Sequence, residues 1–404
     1  MKQMLVGAKT SVLLPPVSAS QLPQYGDAMD VAALRSPDEP VHCFSPSILK
    51  ATLDTFLAGF PGEVSYAVKS NDGAHVLANL AAGGLEVFDV ASVEEMMAVR
   101  AVAPQARFHY HNPVKGRNEI ATAAAVYGCV RFAADDEQEI NKIVAVAGNA
   151  GELEIAIRFV LPKHGASVHD FSSKFGAAPD LAAHLLRHVV ALGAKPLLTF
   201  HPGSQCSDPV IWATHIHAAA EIARAAGVRL TGLNVGGGFP ARYVGLNVPA
   251  LQVYFDVIAK AAAEAFGADF VPPLECEPGR GLVASSTSVL ARIKLVKPDR
   301  REVFLNDGIY GSLMEVYQVS VLQPNYRVIR DGAVLTGATA AHTAFGPTCD
   351  PLDTLPNKLD LPQQIAEGDY IEFGPLGAYG TATSTRFNGY GPAEIIEVGQ
   401  SLSA

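Results

Sequence analysis

From about residue 61 onward one pattern recurs along the chain: a short apolar, β-prone run, then a longer alanine-rich stretch. The short runs fall at 64–68, 85–89, 107–110, 130–132, 153–159, 196–200, 230–235 and 273–277. Between them lie stretches such as "SVEEMMAVRAV", "DEQEINKIVAVAG", "DLAAHLLRHVVALG" and "VYFDVIAKAAAEAFG". Several open on Asp or Ser, a good N-cap, and close on Gly, which tolerates the left-handed geometry just past a helix. Strands alternating with helices predict parallel βα units. Eight strands with seven intervening helices favour a closed (β/α)8, TIM-like barrel, which takes about 250 residues. An open doubly wound sheet has the same alternation. After about residue 282 the rhythm becomes period two. "SVLARIKLVKPDRREVFLNDG", "YRVIRDGAVLTG" and "DYIEFGPLGAYG" predict an all-β sandwich or barrel-like domain. "VHCFSP" at 41–46 is a candidate strand for that domain. The expected division is therefore a leader over 1–45, mostly irregular with a strand joining the β domain, a barrel over 46–282, and the β domain over 283–404.

Composition narrows the function classes. Apolar residues make up 49% and charged ones 17% of 404 residues, which suits a large buried core. The formal charge of −10 argues against a phosphate-backbone binder, which needs clustered Lys and Arg. Cys43, Cys129, Cys206, Cys276 and Cys349 show no CxxC spacing and read as reduced thiols of a cytoplasmic protein. No apolar run approaches the ~18 residues of a membrane span. The N-terminal apolar stretch is broken by Lys9 and two prolines, so it is not read as a signal peptide.

In such a barrel the carboxyl ends of the strands carry the chemistry. Lys69 follows the first strand, and Asp89 ends the second with Glu95 soon after. Arg158 lies on the fifth, His201 follows the sixth, Gly236-Gly237-Gly238 follow the seventh, and Glu277 ends the eighth before Arg280. Singly, each has an ordinary reading: a snorkelling lysine, a tight glycine turn, an exposed ion pair. Jointly they supply an amine, an imidazole, a carboxylate and a phosphate cradle. Bare glycine amides can approach a phosphate closely, Ser204 can donate to it, and Arg280 can pair with it. That set matches the needs of pyridoxal phosphate. A metal is disfavoured, because this reading finds only His201 as a clear ligand.

"YAVKSN", "FDVAS", "HPGSQ", "GGGFP", "ECEPGR", "NDGIYGS", "FGPTCD" and "GAYGTATSTRFNGYG" resemble the fold-type III pyridoxal-phosphate-dependent amino-acid decarboxylases. The ornithine decarboxylases (ornithine/lysine group) are nearest, with the diaminopimelate and arginine enzymes as cousins. The motifs run from about residue 64 to 390 in the family's order. The resemblance implies that Lys69 holds the cofactor and that Asp89 and Glu95 position it. Arg158 would sit beside the ring and His201 would stack on it. Ser204, Gly236, Gly237, Gly238 and Arg280 would cradle the phosphate, Tyr379 would close over it, and Glu277 would meet the ring nitrogen. It also implies a head-to-tail homodimer with shared sites. Cys349 would then return a proton to Cα in the other subunit's site, and Asp350 would hold the substrate's distal amine. The implied activity is decarboxylation of a basic amino acid to a diamine such as putrescine or cadaverine, in polyamine biosynthesis.

Two departures bear on the substrate. Ornithine decarboxylases place an acid after a tyrosine in the segment following "YGS"; here Gln318 stands beside Tyr317, with Glu315 close by. A neutral amide loses a charge-assisted bond worth ~1.5–3 kcal/mol. "HPGSQ" is the form common in diaminopimelate enzymes, whereas "GGGFP" and "GPTCD" are ornithine-type. Diaminopimelate, arginine or a non-standard amino acid is therefore the alternative substrate. A non-catalytic regulatory paralogue should lack Lys69 or the phosphate residues, and a racemase should lack "GPTCD". Residues 161–176 form a loop long enough to be a lid, with His164 and His169 expected in solvent.

Overall fold

The structure is a computed structural model and describes residues 25–162, 174–267, 270–391 and 394–403. Most of the segment read as a lid, with His164 and His169, lies outside the described residues. The described part of the leader, 25–45, holds regular elements beyond the one expected strand. The Asp27 carboxylate accepts from the Met29 N–H at 2.8 Å and starts helix α1 (Ala28–Arg35). Ala28, Val31 and Ala32 share its buried face, at helical spacing, and pack with Val41, Cys43, Leu290 and Ile396. Strand β1 (Val41–Phe44) pairs antiparallel with β10 (Thr287–Lys297) and parallel with β17 (Glu394–Glu397).

Helix α2 (Pro46–Gly59), capped by Ser45, leads into the barrel. Its strands are β2 (Glu63–Ala67), β3 (Val87–Val90), β4 (Arg107–Tyr110), β5 (Arg131–Ala134), β6 (Glu154–Arg158), β7 (Lys195–Thr199), β8 (Gly232–Asn234) and β9 (Leu274–Cys276). They run in chain order and close where β2 pairs with β9, Glu63 opposite Glu275. Between them lie seven helices: α3 (Ala74–Ala82), α4 (Val93–Val102), α5 (Arg117–Ala125), α6 (Glu137–Ala147), α7 (Pro179–Ala191), α8 (Val210–Ala226) and α9 (Leu251–Phe266). The expected strands and helices are all present, with strand ends displaced by at most two residues.

Period two sorts the strand residues. Tyr66, Phe88, Tyr110, Phe132, Ile155, Ile157 and Leu198 are fully buried in the core shared with the helices. Losing one such aromatic costs about 3–5 kcal/mol. The alternate residues face the barrel axis. On one side they are apolar, Ala133, Ala156 and Leu197, which form a small cluster of their own. On the other side they are polar, which is unusual for a barrel centre.

After β9 come a one-turn helix α10 (Arg280–Val283) and a mixed sheet. Beside β1, β10 and β17, that sheet holds β11 (Glu302–Leu305), β12 (Asn325–Arg330), β13 (Ala333–Val334), β14 (Thr339–Phe345), β15 (Leu359–Pro362) and β16 (Tyr370–Gly374). It is not purely strand and turn: Met314–Gln318 form a short helix, α11.

Candidate active site

Strand β2 stops two residues before Lys69. Val68–Ser70 form a 3-10 turn, pinned on several sides. The Ala67 N–H donates to the Pro278 carbonyl at 3.1 Å, and the Tyr66 hydroxyl to the Asn71 carbonyl at 2.9 Å. Ser70 Oγ donates to the Ala67 carbonyl, and the Tyr379 N–H to the Ser70 carbonyl at 2.7 Å. Asn71 Nδ2 holds the Gly377 carbonyl at 2.8 Å. The turn therefore locks β2 to the end of β9 and to the loop bearing Tyr379. It turns Lys69 into a cavity lined also by Ala67, His201, Ser204, Gly237, Gly238, Glu277, Gly279, Arg280 and Tyr379. Lys69 is exposed to solvent, although charged and polar protein groups surround its amine. Its low-dielectric surroundings work against the ammonium, but Tyr379, Asp89 and Glu277 outweigh them and raise its pKa.

Glu277 receives two donors. His111 Nδ1 lies 2.9 Å from its Oε2, and Asn234 Nδ2 lies 3.2 Å from the same atom. The Asn234 amide cannot be reversed, because its Oδ1 accepts from the Gly236 N–H at 2.7 Å. Burial opposes charge on Glu277, but His111 and Lys69 outweigh it and lower its pKa. Asp89 Oδ1 stands 3.4 Å from His111 Nδ1. Burial, reinforced by the Glu277 charge, raises the Asp89 pKa. His201 accepts from the Gly203 N–H at 3.0 Å, and burial plus Lys69 and Arg158 lower its pKa to about 3, so its ring is neutral. Burial lowers the pKa of Arg158, against the attraction of Glu277, Asp135 and Asp89.

The anion cradle is built by close backbone approach. A Cβ on Gly237 would come within 2.6 Å of the Glu277 carbonyl oxygen and 3.3 Å of His201 Nε2. Gly236 has φ +72 and Gly238 φ +86, and a side chain on either would strike the backbone of 200–203. Arg280 Nε points at Ser204 Oγ, 3.3 Å away, and its NH1 donates to the Tyr243 hydroxyl at 2.8 Å. Its guanidinium lies 5.1 Å from the Tyr379 ring. Tyr379 itself sits at φ +60, a costly conformation for a non-glycine residue.

Glu95, Cys349, Asp350, Tyr317 and Gln318 do not line this cavity, although the Lys69 charge reaches Glu95. Glu95 caps α4: its Oε2 accepts from the Ala91 N–H at 2.7 Å, while Ser92 Oγ accepts from the Glu95 N–H. Cys349 and Asp350 line a different cleft, with Phe304, Phe345 and Lys294, that shares no residue with the Lys69 cavity. Cys349 is exposed, and Asp350 accepts from the Tyr310 hydroxyl at 2.5 Å, which lowers its pKa. Tyr317 and Gln318 are exposed on α11, outside the cavity lining. The polar residue of that helix that turns inward is Glu315, which is buried and paired with Arg280.

His111, Asn234 and Tyr243 were not named from the sequence, and Glu315 was named without being placed in the site. The histidines left a trace: "FHYH" and "ECE" put His109, His111, Glu275 and Glu277 at alternate positions of two strands. Two sets, Glu63–His109–Glu275 and Asp89–His111–Glu277, have metal-ligand spacing. In the first, the Arg131 guanidinium already holds Glu275.

A barrel whose strand ends present an amine, an ionised carboxylate and a neutral imidazole, beside a glycine-and-arginine anion cradle, has the make-up of a pyridoxal-phosphate enzyme. The comparisons with known proteins carry this further. Residues 48–284 match the family described as pyridoxal-dependent decarboxylase, pyridoxal binding domain, and the chain belongs to that family. It is 31% identical over 356 residues to an ornithine decarboxylase of Panagrellus redivivus, covering 80% of this chain and 77% of the relative. It is 30% identical to a lysine/ornithine decarboxylase of Selenomonas ruminantium, covering 81% of each. Among solved structures it superposes with TM-score 0.79 on a lysine decarboxylase of Selenomonas ruminantium, at 26% identity, covering 91% of this chain and 95% of the other. The protein is a pyridoxal-phosphate-dependent amino-acid decarboxylase, a carboxy-lyase. No described helix is long and apolar enough to cross a membrane.

Proposed function

We propose that the chain decarboxylates a basic L-amino acid, ornithine or lysine, releasing CO2 and the diamine used in polyamine formation. The observation that carries this reading is the joint placement of Lys69, His201, Glu277 and Arg280 around one cavity, in a chain whose relatives include ornithine and lysine/ornithine decarboxylases. Lys69 would hold the cofactor, Glu277 its ring nitrogen and His201 its ring face. Gly236, Gly237, Gly238, Ser204, Arg280 and Tyr379 would hold its phosphate, with Asp89 and Arg158 beside the ring. Bound there, pyridoxal phosphate supplies the sink for the electrons left when the Cα–carboxylate bond breaks. The ionised Glu277 provides a preformed negative charge where a ring-nitrogen proton must be kept. The neutral His201 adds no competing charge.

A thiol and a carboxylate that share no cavity with Lys69 fit a site completed by a second copy. Cys349 of that copy would return a proton to Cα, and Asp350, held ionised by Tyr310, would meet the distal ammonium. The exposed, neutral Gln318 favours a second reading, in which the distal group is that of diaminopimelate, arginine or a non-standard amino acid. The test is CO2 release across ornithine, lysine, arginine, diaminopimelate and neutral amino acids. Ornithine or lysine should show the highest kcat/KM; turnover confined to another amino acid would replace the first reading with the second.

A further inference from the structure

The barrel centre holds two polar rungs, one above the other. His109 and His111 project inward from β4, their rings 5.6 Å apart, and Glu275 and Glu277 extend inward from β9 and the residue after it. In the lower rung Glu275 is bonded by both His109 and Arg131, which suffices to explain it as structure. The upper rung opens on the cavity, and there the donors to Glu277 are His111 and Asn234. Stability alone does not account for it. His111 Nε2 and Asp89 Oδ1 are buried without a hydrogen-bond partner among the described residues, a costly arrangement for a purely structural network.

We propose that His111 is a positioning residue for the decarboxylase: it donates from Nδ1 to Glu277 and, with Asn234, fixes and polarises the carboxylate that meets the cofactor's ring nitrogen. The proposal rests on the assignment of Glu277 to that nitrogen. Two carboxylates, Asp89 and Glu277, crowd the same space, and both cannot be ionised cheaply. Among the described residues, the charged and titratable groups that face them are His109 and His111 from the end of β4, Glu275 from β9, Lys69 from the turn after β2, Glu95 from α4, Arg158 from β6, and His201 from the loop after β7. His111 bonds Glu277 and only approaches Asp89, so it selects Glu277 as the anion. Burial works against an imidazolium here, but Glu277 and Asp89 outweigh it and raise the pKa of His111. An ionised Glu277 leaves a shared proton on the ring nitrogen, whereas a protonated one would keep it.

The test compares binding of pyridoxal phosphate with that of its deaza analogue, in which carbon replaces the ring nitrogen. Both ligands are titrated against the full-length apoenzyme by fluorescence. The parent protein should prefer pyridoxal phosphate by about tenfold. His111→Ala should shrink that preference to about twofold, and His111→Gln, which keeps an N–H donor, should restore part of it. An unchanged preference in His111→Ala, or an equal loss of affinity for both ligands, overturns the proposal. Should His111→Ala not fold, an unchanged preference in His111→Phe, which fills the space without a donor, overturns it. A parent protein without any preference would remove the Glu277 assignment itself, a failure distinguishable from that of His111.

Discussion

Gly237 and Glu277 meet where β8 and β9 hand over to their loops, and each limits what the other can be. A methyl at 237 would press on the Glu277 carbonyl at 2.6 Å, and the backbone would have to yield. Gly237→Ala should therefore weaken pyridoxal-phosphate binding by about tenfold or more, measured by equilibrium dialysis. Glu277→Gln keeps the shape and the Asn234 neighbour but removes the charge. It should cost on the order of 10²–10³ in kcat, read by CO2 release, with cofactor still bound. Lys69, Asp89, His201, Glu277 and Arg280 could all be picked from the sequence because each stands at a strand end. His111 stands directly after β4 in the same way, but no chemistry was expected at that strand end. Glu315 was seen but not placed, because which side of α11 enters the protein depends on where Arg280 waits.

Strand periodicity decided most of the element-level reading. Large apolar residues at alternate positions declared both the strands and the face that packs on helices. Strand ends were less exact, since hydrophobicity continues past the last ladder bond; Val68 is buried but belongs to the turn. Helix α11 was missed because five residues carry too little helical period to read. The lower polar rung gives this level its own prediction. Burial would raise the Glu275 carboxyl, but His109 and Arg131 outweigh it and hold it at about 2, against about 4.3 for a free glutamate. A depressed folded-state pKa stabilises above the unfolded value and is lost as pH falls through the folded one. Glu275→Gln, which leaves the partly buried Arg131 with Glu154 as its remaining partner, should lose about 1.5–3 kcal/mol in urea unfolding at pH 7. That gap between parent and variant should narrow as pH falls from about 4 towards 2; a gap independent of pH would remove the ion pair from the account.

At the scale of the whole molecule, the proposed site needs a second copy to bring Cys349 and Asp350 to Lys69. The family resemblance implied, and residue spacing alone did not reveal, that Cys349 and Asp350 lie outside the Lys69 cavity within one chain; the path of β14 and the loop after it puts them in a separate cleft. Lys69→Ala and Cys349→Ala proteins should each be crippled alone. Mixed under conditions that exchange subunits, they should recover up to about a quarter of parental activity, since half of the dimers carry one intact site of two. The barrel itself offers a rival for the cofactor. Lys115 is buried, with Nζ bonded to the Asn112 and Ala133 carbonyls at 2.7 Å, and burial lowers its pKa to about 8 despite Glu139. The most direct measurement is to reduce the holoenzyme with borohydride, which fixes the cofactor to the amine that holds it, and to map the modified peptide by mass spectrometry. The phosphopyridoxyl group should be found on Lys69, in "SYAVKSN"; a group found on Lys115 or any other lysine would contradict the account.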